Sequence, residues 1–144
     1  MSTPSITKSK VAIDVILSLE KNGNSHTFSK ETHEGRSVLG PNGKYYILFE
    51  GNENDKKILN VLKQEPRKIT YLRYGTVQSR FEFELKRWTK CFCYIEGGFV
   101  ELNCFTEVLE SNISKTSAHF VIRYKLYSGN SKVGTYNLNV MFRC

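Results

Sequence analysis

Thr76-Val-Gln-Ser-Arg-Phe-Glu-Phe-Glu-Leu85 alternates between two kinds of side chain. Val77, Ser79, Phe81, Phe83 and Leu85 fall on one side, and Thr76, Gln78, Arg80, Glu82 and Glu84 on the other. Successive side chains of a strand point to opposite faces, so this period of two predicts a strand with one buried and one wet face. The same pattern recurs on both sides of it. Val11, Ile13, Val15, Leu17 and Leu19 share a face, with Asp14 and Ser18 opposite. Ala118, Phe120, Ile122, Tyr124 and Leu126 alternate with His119, Arg123 and Lys125, and Tyr136, Leu138, Val140 and Phe142 follow suit. Helical spacing is hard to find anywhere.

Turn signals separate these runs at regular intervals, as a meander requires. They include Lys21-Asn-Gly-Asn24, Gly40-Pro-Asn-Gly43, Gly51-Asn-Glu-Asn-Asp55, Gln64-Glu-Pro-Arg67, Tyr74-Gly75, Glu96-Gly-Gly98 and Ser128-Gly-Asn130. Cutting there predicts strands near 9–20, 25–38, 44–50, 56–63, 67–74, 76–85, 90–95, 99–108, 116–127 and 132–143. So high a strand content favours closure, because a closed barrel leaves no exposed sheet edge. The expected architecture is an all-β, antiparallel up-and-down barrel of about 8–10 strands. No linker divides the chain: residues 1–8 read as a flexible lead-in and 9–144 as one domain.

Two hairpins allow a statement of register. A three-residue Arg73-Tyr74-Gly75 loop with Gly75 left-handed would set Leu72 against Thr76, Tyr71 against Val77 and Ile69 against Ser79. A two-residue Tyr74-Gly75 turn would instead bury Thr70 and Leu72. The turn near Glu96-Gly-Gly98 would set Cys91 roughly opposite Cys104.

Composition narrows the function classes. The 144 residues carry 21 Lys and Arg against 14 Asp and Glu, a formal charge of +7. Apolar residues at 40% and aromatics at 12% exclude a disordered chain, and ten Gly with three Pro exclude a collagen-like one. A domain of this length buries roughly 68–70% of its unfolded surface, enough for a core without staples. No apolar run approaches the ~20 residues of a membrane helix. The N-terminus lacks the apolar region of a secretory signal, so the expected location is cytoplasmic, with cysteines reduced.

A family resemblance rests on several short stretches. Tyr45-Tyr-Ile-Leu-Phe-Glu50 is followed by Arg73-x-Gly75-x-Val77, Phe83, Gly98-x-Val-x-Leu-x-x-x-Thr106 and Tyr124-x-Leu126. In this order and spacing they resemble the YwiB-like family of small bacterial proteins of unknown function. Where that pattern has Tyr-x-Thr before the glycine, this chain reads Cys93-Tyr94-Ile95. The resemblance implies a calycin-type, lipocalin-like antiparallel barrel and no known activity.

Chemistry-bearing motifs are sparse. Cys91, Cys93, Cys104 and Cys144 lack the ligand spacing of a zinc site, since two strand cysteines two residues apart have no nearby His to join them. They read as reduced packing residues. His26, His33 and His119 sit in no hydrolase or metalloprotease motif, and no phosphate-binding glycine loop occurs. Glu82 and Glu84 fall on a wet face. The sequence therefore implies no catalytic residue, metal or cofactor.

Two readings of function remain. The barrel interior would hold a small apolar or amphipathic anionic ligand, lined by Tyr71, Ser79, Phe81, Phe83, Phe120 and Tyr124. Arg73 at the mouth has the fork geometry for a carboxylate or phosphate, which also suits it to pin the turn through backbone carbonyls. The alternative is a protein- or nucleic-acid-interaction module using the basic loop of Lys86, Arg87, Trp88 and Lys90, whose indole would stack on a base. Glu53, Asp55, Glu82 and Glu84 interrupt the basic stripe, so nucleic acid is the less favoured partner, and no membrane partner is implied.

Overall fold

The computed structural model describes residues 7–21, 23–40, 44–53, 55–75, 78–95, 98–114 and 116–143, and not the side chains of 7–11, 28, 39, 52, 53 and 95. Its strands are β1 (Thr7–Lys21), β2 (Asn24–Leu39), β3 (Tyr45–Glu53), β4 (Lys56–Glu65) and β5 (Lys68–Tyr74). After them come β6 (Gln78–Glu84), β7 (Trp88–Ile95), β8 (Gly98–Ile113), β9 (Ser117–Ser128) and β10 (Ser131–Arg143). Each pairs antiparallel with its sequence neighbour, and β1 closes on β10. This is the up-and-down closed barrel that the alternation implies. Among the described residues no helix is long and apolar enough to cross a membrane.

The N-terminal boundary differs from expectation. Thr7 and Lys8, read from sequence as part of a lead-in, already pair with Leu39 and Val38 in β1 and β2.

Alternation locates the core. Ile13 and Val15 of β1, Ile47 and Phe49 of β3, Ile122 and Phe120 of β9, and Val140 and Phe142 of β10 are buried and face inward together. Tyr45 stacks on Phe142 at 5.8 Å and lies 6.3 Å from Phe120. This end of the barrel is filled by side chains.

Both expected registers are displaced, and both keep the expected faces. In β5–β6, Ile69 lies opposite Phe83, Tyr71 opposite Phe81 and Arg73 opposite Ser79. The β5–β6 connection is therefore longer than a three-residue loop; Thr76 and Val77, the partners expected for Leu72 and Tyr71, lie outside the described residues. In β7–β8, Cys91 lies opposite Leu102 and Cys104 opposite Thr89, so the two cysteines are diagonal neighbours.

Leu85, expected on the buried face with Phe83, is 46% exposed. Regular pairing of β6 ends before it, because the chain turns at Lys86, whose φ is 59°. Leu85 instead bridges to Thr106 of β8, and the Lys86 amide donates to the Thr106 carbonyl at 2.7 Å.

Candidate functional site

Passing along each strand away from the filled end, the inward side chains go from closing the core to bordering open space. On β1 the change comes between Ile13 and Val15, on β9 at Tyr124 and on β10 at Leu138. Beyond it lies a cavity of about 460 Å³, partly open to solvent. Its apolar lining includes Val15, Leu17, Ile58, Phe81, Phe83 and Tyr124, with ring packing of 4.8 Å between Phe83 and Tyr124.

A polar row crosses one wall. Asn60, Arg73, Ser79 and Cys93 stand directly opposite one another on β4, β5, β6 and β7, and all reach the lining. Alternation turns each inward, and the registers then align them. Asn60 is buried and organises its neighbours: its Oδ1 accepts from the Tyr71 hydroxyl at 3.0 Å and from Arg73 Nε at 3.2 Å. Burial pushes the Tyr71 phenol up to about 12, with the Arg73 charge acting to lower it and Glu31 to raise it. Tyr71 is thus a neutral donor at neutral pH. Burial also raises Tyr124.

Of the residues singled out in sequence, Tyr71, Arg73, Ser79, Phe81, Phe83 and Tyr124 share this lining. Phe120 does not. It is fully buried against Tyr45 at the filled end, because the cavity begins two inward positions further along β9, at Tyr124.

The sequence reading missed Glu31, Ser29 and Asn60, which line the cavity, and His33 beside it. His33 stacks on Phe49 at 4.9 Å, with Nε2 2.9 Å from Glu31 Oε2. The available signal was the period-two spacing of Ser29, Glu31, His33, Gly35 and Ser37. Because that stripe is polar, it resembles an outer face.

Cys91 and Cys104 are buried and free, and Cys91 is raised by its hydrogen bond with Cys104 and by burial. Cys104 also adjoins Thr89 and Thr106. Among the described residues no three His, Cys, Asp or Glu side chains are grouped to hold a metal ion.

The basic loop forms a separate feature on the outer wall. Lys86 and Arg87 are exposed, and Lys90 pairs with Glu101 at 3.0 Å. Trp88 is 59% exposed and packs on Phe105 at 5.2 Å and Tyr127 at 5.4 Å. With Asn103, Gly129 and Asn130, Trp88 and Tyr127 border a shallow cleft of about 440 Å³.

Fold and cavity define a class: small antiparallel barrels of lipocalin-like form, closed at one end and hollow at the other. Within it, residues 13–140 match the model of a domain of unknown function (DUF1934), and the chain belongs to that family. The crystal structure of the ywiB protein from Bacillus subtilis is similar, with a TM-score of 0.82 at 17% identity over 94% of this chain and 92% of that one. At that identity the likeness establishes the fold alone. No curated protein matches the chain.

Proposed function

We propose that the barrel binds a small amphipathic anion, with its apolar tail among Phe81, Phe83, Tyr124 and Leu138 and its head toward Arg73. The supporting observation is the cavity itself: about 460 Å³ of space with an apolar floor and a guanidinium in its wall. That volume lies within the range of small-molecule sites, which combine mostly apolar walls with a few placed polar groups. Arg73 offers a planar fork for a carboxylate, and its bond to Asn60 fixes the direction of that fork.

Octanoate is the simplest probe. Calorimetric titration should give saturable binding below about 1 mM, and Arg73→Gln should weaken it roughly tenfold or more, the usual worth of a charge-assisted hydrogen bond. A denaturation curve of the variant checks that it folds. No saturable binding by the wild type, or equal binding by a folded Arg73→Gln protein, would overturn the reading.

The cleft beside Trp88 supports a second reading, a nucleic-acid contact through stacking and cations. Ion pairs of Lys90 with Glu101 and Lys125 with Glu107 reduce the charge on offer there. Trp88 fluorescence should therefore change little when single-stranded oligonucleotide is added at ~150 mM salt. Submicromolar quenching lost in a Lys86/Arg87/Lys90 triple-alanine variant would promote this reading to first place.

A further inference from the structure

The inward face of β2 differs from its neighbours. Glu31 stands opposite Val15 and His33 opposite Ile13, both inward-facing, so Ser29, Glu31, His33, Gly35 and Ser37 all face the interior with no apolar side chain among them. On the flanking strands the matching positions are Ile13, Val15 and Leu17, and Ile47 and Phe49. A polar stripe turned into a barrel costs free energy unless groups inside meet it. Part of the stripe is met within the protein, by the stacking of His33 on Phe49 and its contact with Glu31.

Ser29 and Glu31 reach the cavity lining, and the Glu31 side chain keeps 61% of its exposure, which puts its carboxylate at the mouth. Arg73 enters the same lining from β5. One cavity thus carries a carboxylate on one strand and a guanidinium on another, above a shared apolar floor.

We propose that this cavity selects a zwitterionic head, a carboxylate and an ammonium on one carbon as in an α-amino acid, attached to an apolar tail. This rests on the cavity reading above and narrows its ligand class. A simple anion gains from Arg73 and loses to Glu31, and a simple cation does the reverse. A head bearing both charges gains from each wall. Ser29, Ser79 and the Asn60 amide supply the neutral polar contacts around it.

Three probes with the same tail test this: octanoate, 2-aminooctanoate and octylammonium, titrated calorimetrically into the whole protein. 2-Aminooctanoate should bind at least tenfold tighter than either of the others. Glu31→Gln, an exposed and nearly isosteric change, should bring 2-aminooctanoate down to the affinity of octanoate while leaving octanoate unchanged or tighter. Octanoate binding as tightly as 2-aminooctanoate in the wild type would overturn the zwitterion proposal and leave the anion reading intact. The same holds if Glu31→Gln weakens both probes equally. Failure of all three probes to bind below about 1 mM overturns both readings.

Discussion

Phe81 and Phe83 are two residues apart on one face of β6, yet their surroundings differ. Both line the cavity, but Phe83 is 1% exposed and packs on Tyr124 at 4.8 Å, whereas Phe81 is only half-buried. A truncation costs the lost transfer energy plus the void it leaves, so Phe83→Ala should destabilise by about 3–5 kcal/mol. Phe81→Ala removes a ring that is already partly exposed, so it loses less transfer energy and should cost less than half as much. Urea denaturation midpoints of the two variants measure the difference; equal losses would mean that the cavity is packed shut in solution. Alternation assigned both rings to the interior, but it could not distinguish them. Interior filling depends on which side chains other strands bring inward, and the lining that Phe81 shares includes the small or polar Ser29, Glu31 and Gly51 as well as the Tyr124 ring 6.3 Å away. Glu31 was illegible for a related reason. A polar residue facing a cavity has the same local sequence signature as one facing water.

Strand existence, strand order and the facing of the apolar stripes other than Leu85 were readable from period-two patterning, whereas register and the inward turn of the polar β2 stripe were not. Ile69 pairs with Phe83 where Ser79 was expected, and Cys91 pairs with Leu102 where Cys104 was expected. Both displacements are even numbers of residues. A pattern of period two is blind to such shifts, so the faces survive an error that moves every partner. Loop geometry decides the remainder, and the Gly75 connection is not the left-handed turn expected: its φ is 156°. Gly35 in β2 shows where an element depends on one missing side chain. A Cβ there would lie 2.3 Å from the Leu48 carbonyl oxygen and 2.4 Å from Ile13 Cδ1, where β2 passes between β1 and β3. Gly35→Ala should destabilise by at least the 1–3 kcal/mol usual for overpacking, since one of the clashing atoms is backbone. Gly98→Ala, with nothing within 4 Å of the added carbon, should stay within about 0.5 kcal/mol of the wild type. Thermal melts of the pair decide it; equal stability would show that β2 has room to move away from β3.

At the scale of the molecule, closure of β1 on β10 removes both sheet edges, and an outer charge network spans that seam. Arg123 of β9 donates to Glu20 of β1 at 2.6 Å and to Glu107 of β8, Lys125 pairs with Glu107 at 2.6 Å, and Asn137 of β10 donates to Glu20 at 3.2 Å. The Arg123 hydrogen bond holds the Glu20 carboxyl below its ordinary value, against partial burial. The Lys125 hydrogen bond does the same for Glu107. Glu82 is lowered as well, because bonds and charges from Arg80 and Lys68 outweigh its burial. A carboxylate lowered on folding stabilises fully above its unfolded value, near 4.3, and loses that contribution as pH falls through the folded value. The urea midpoint should therefore be flat from about pH 7 to 5 and fall below about pH 4.5. Glu20→Gln with Glu107→Gln should make that acid limb shallower, while costing less than about 1 kcal/mol per pair at neutral pH, since these groups remain partly solvated. Raising salt to 1 M, where screening acts within about 3 Å, should shrink the difference between wild type and variant. An acid limb of equal slope in both proteins would assign the pH dependence to other carboxylates and leave the seam held by backbone pairing and the packing of Ile13, Val140 and Phe142 beneath it.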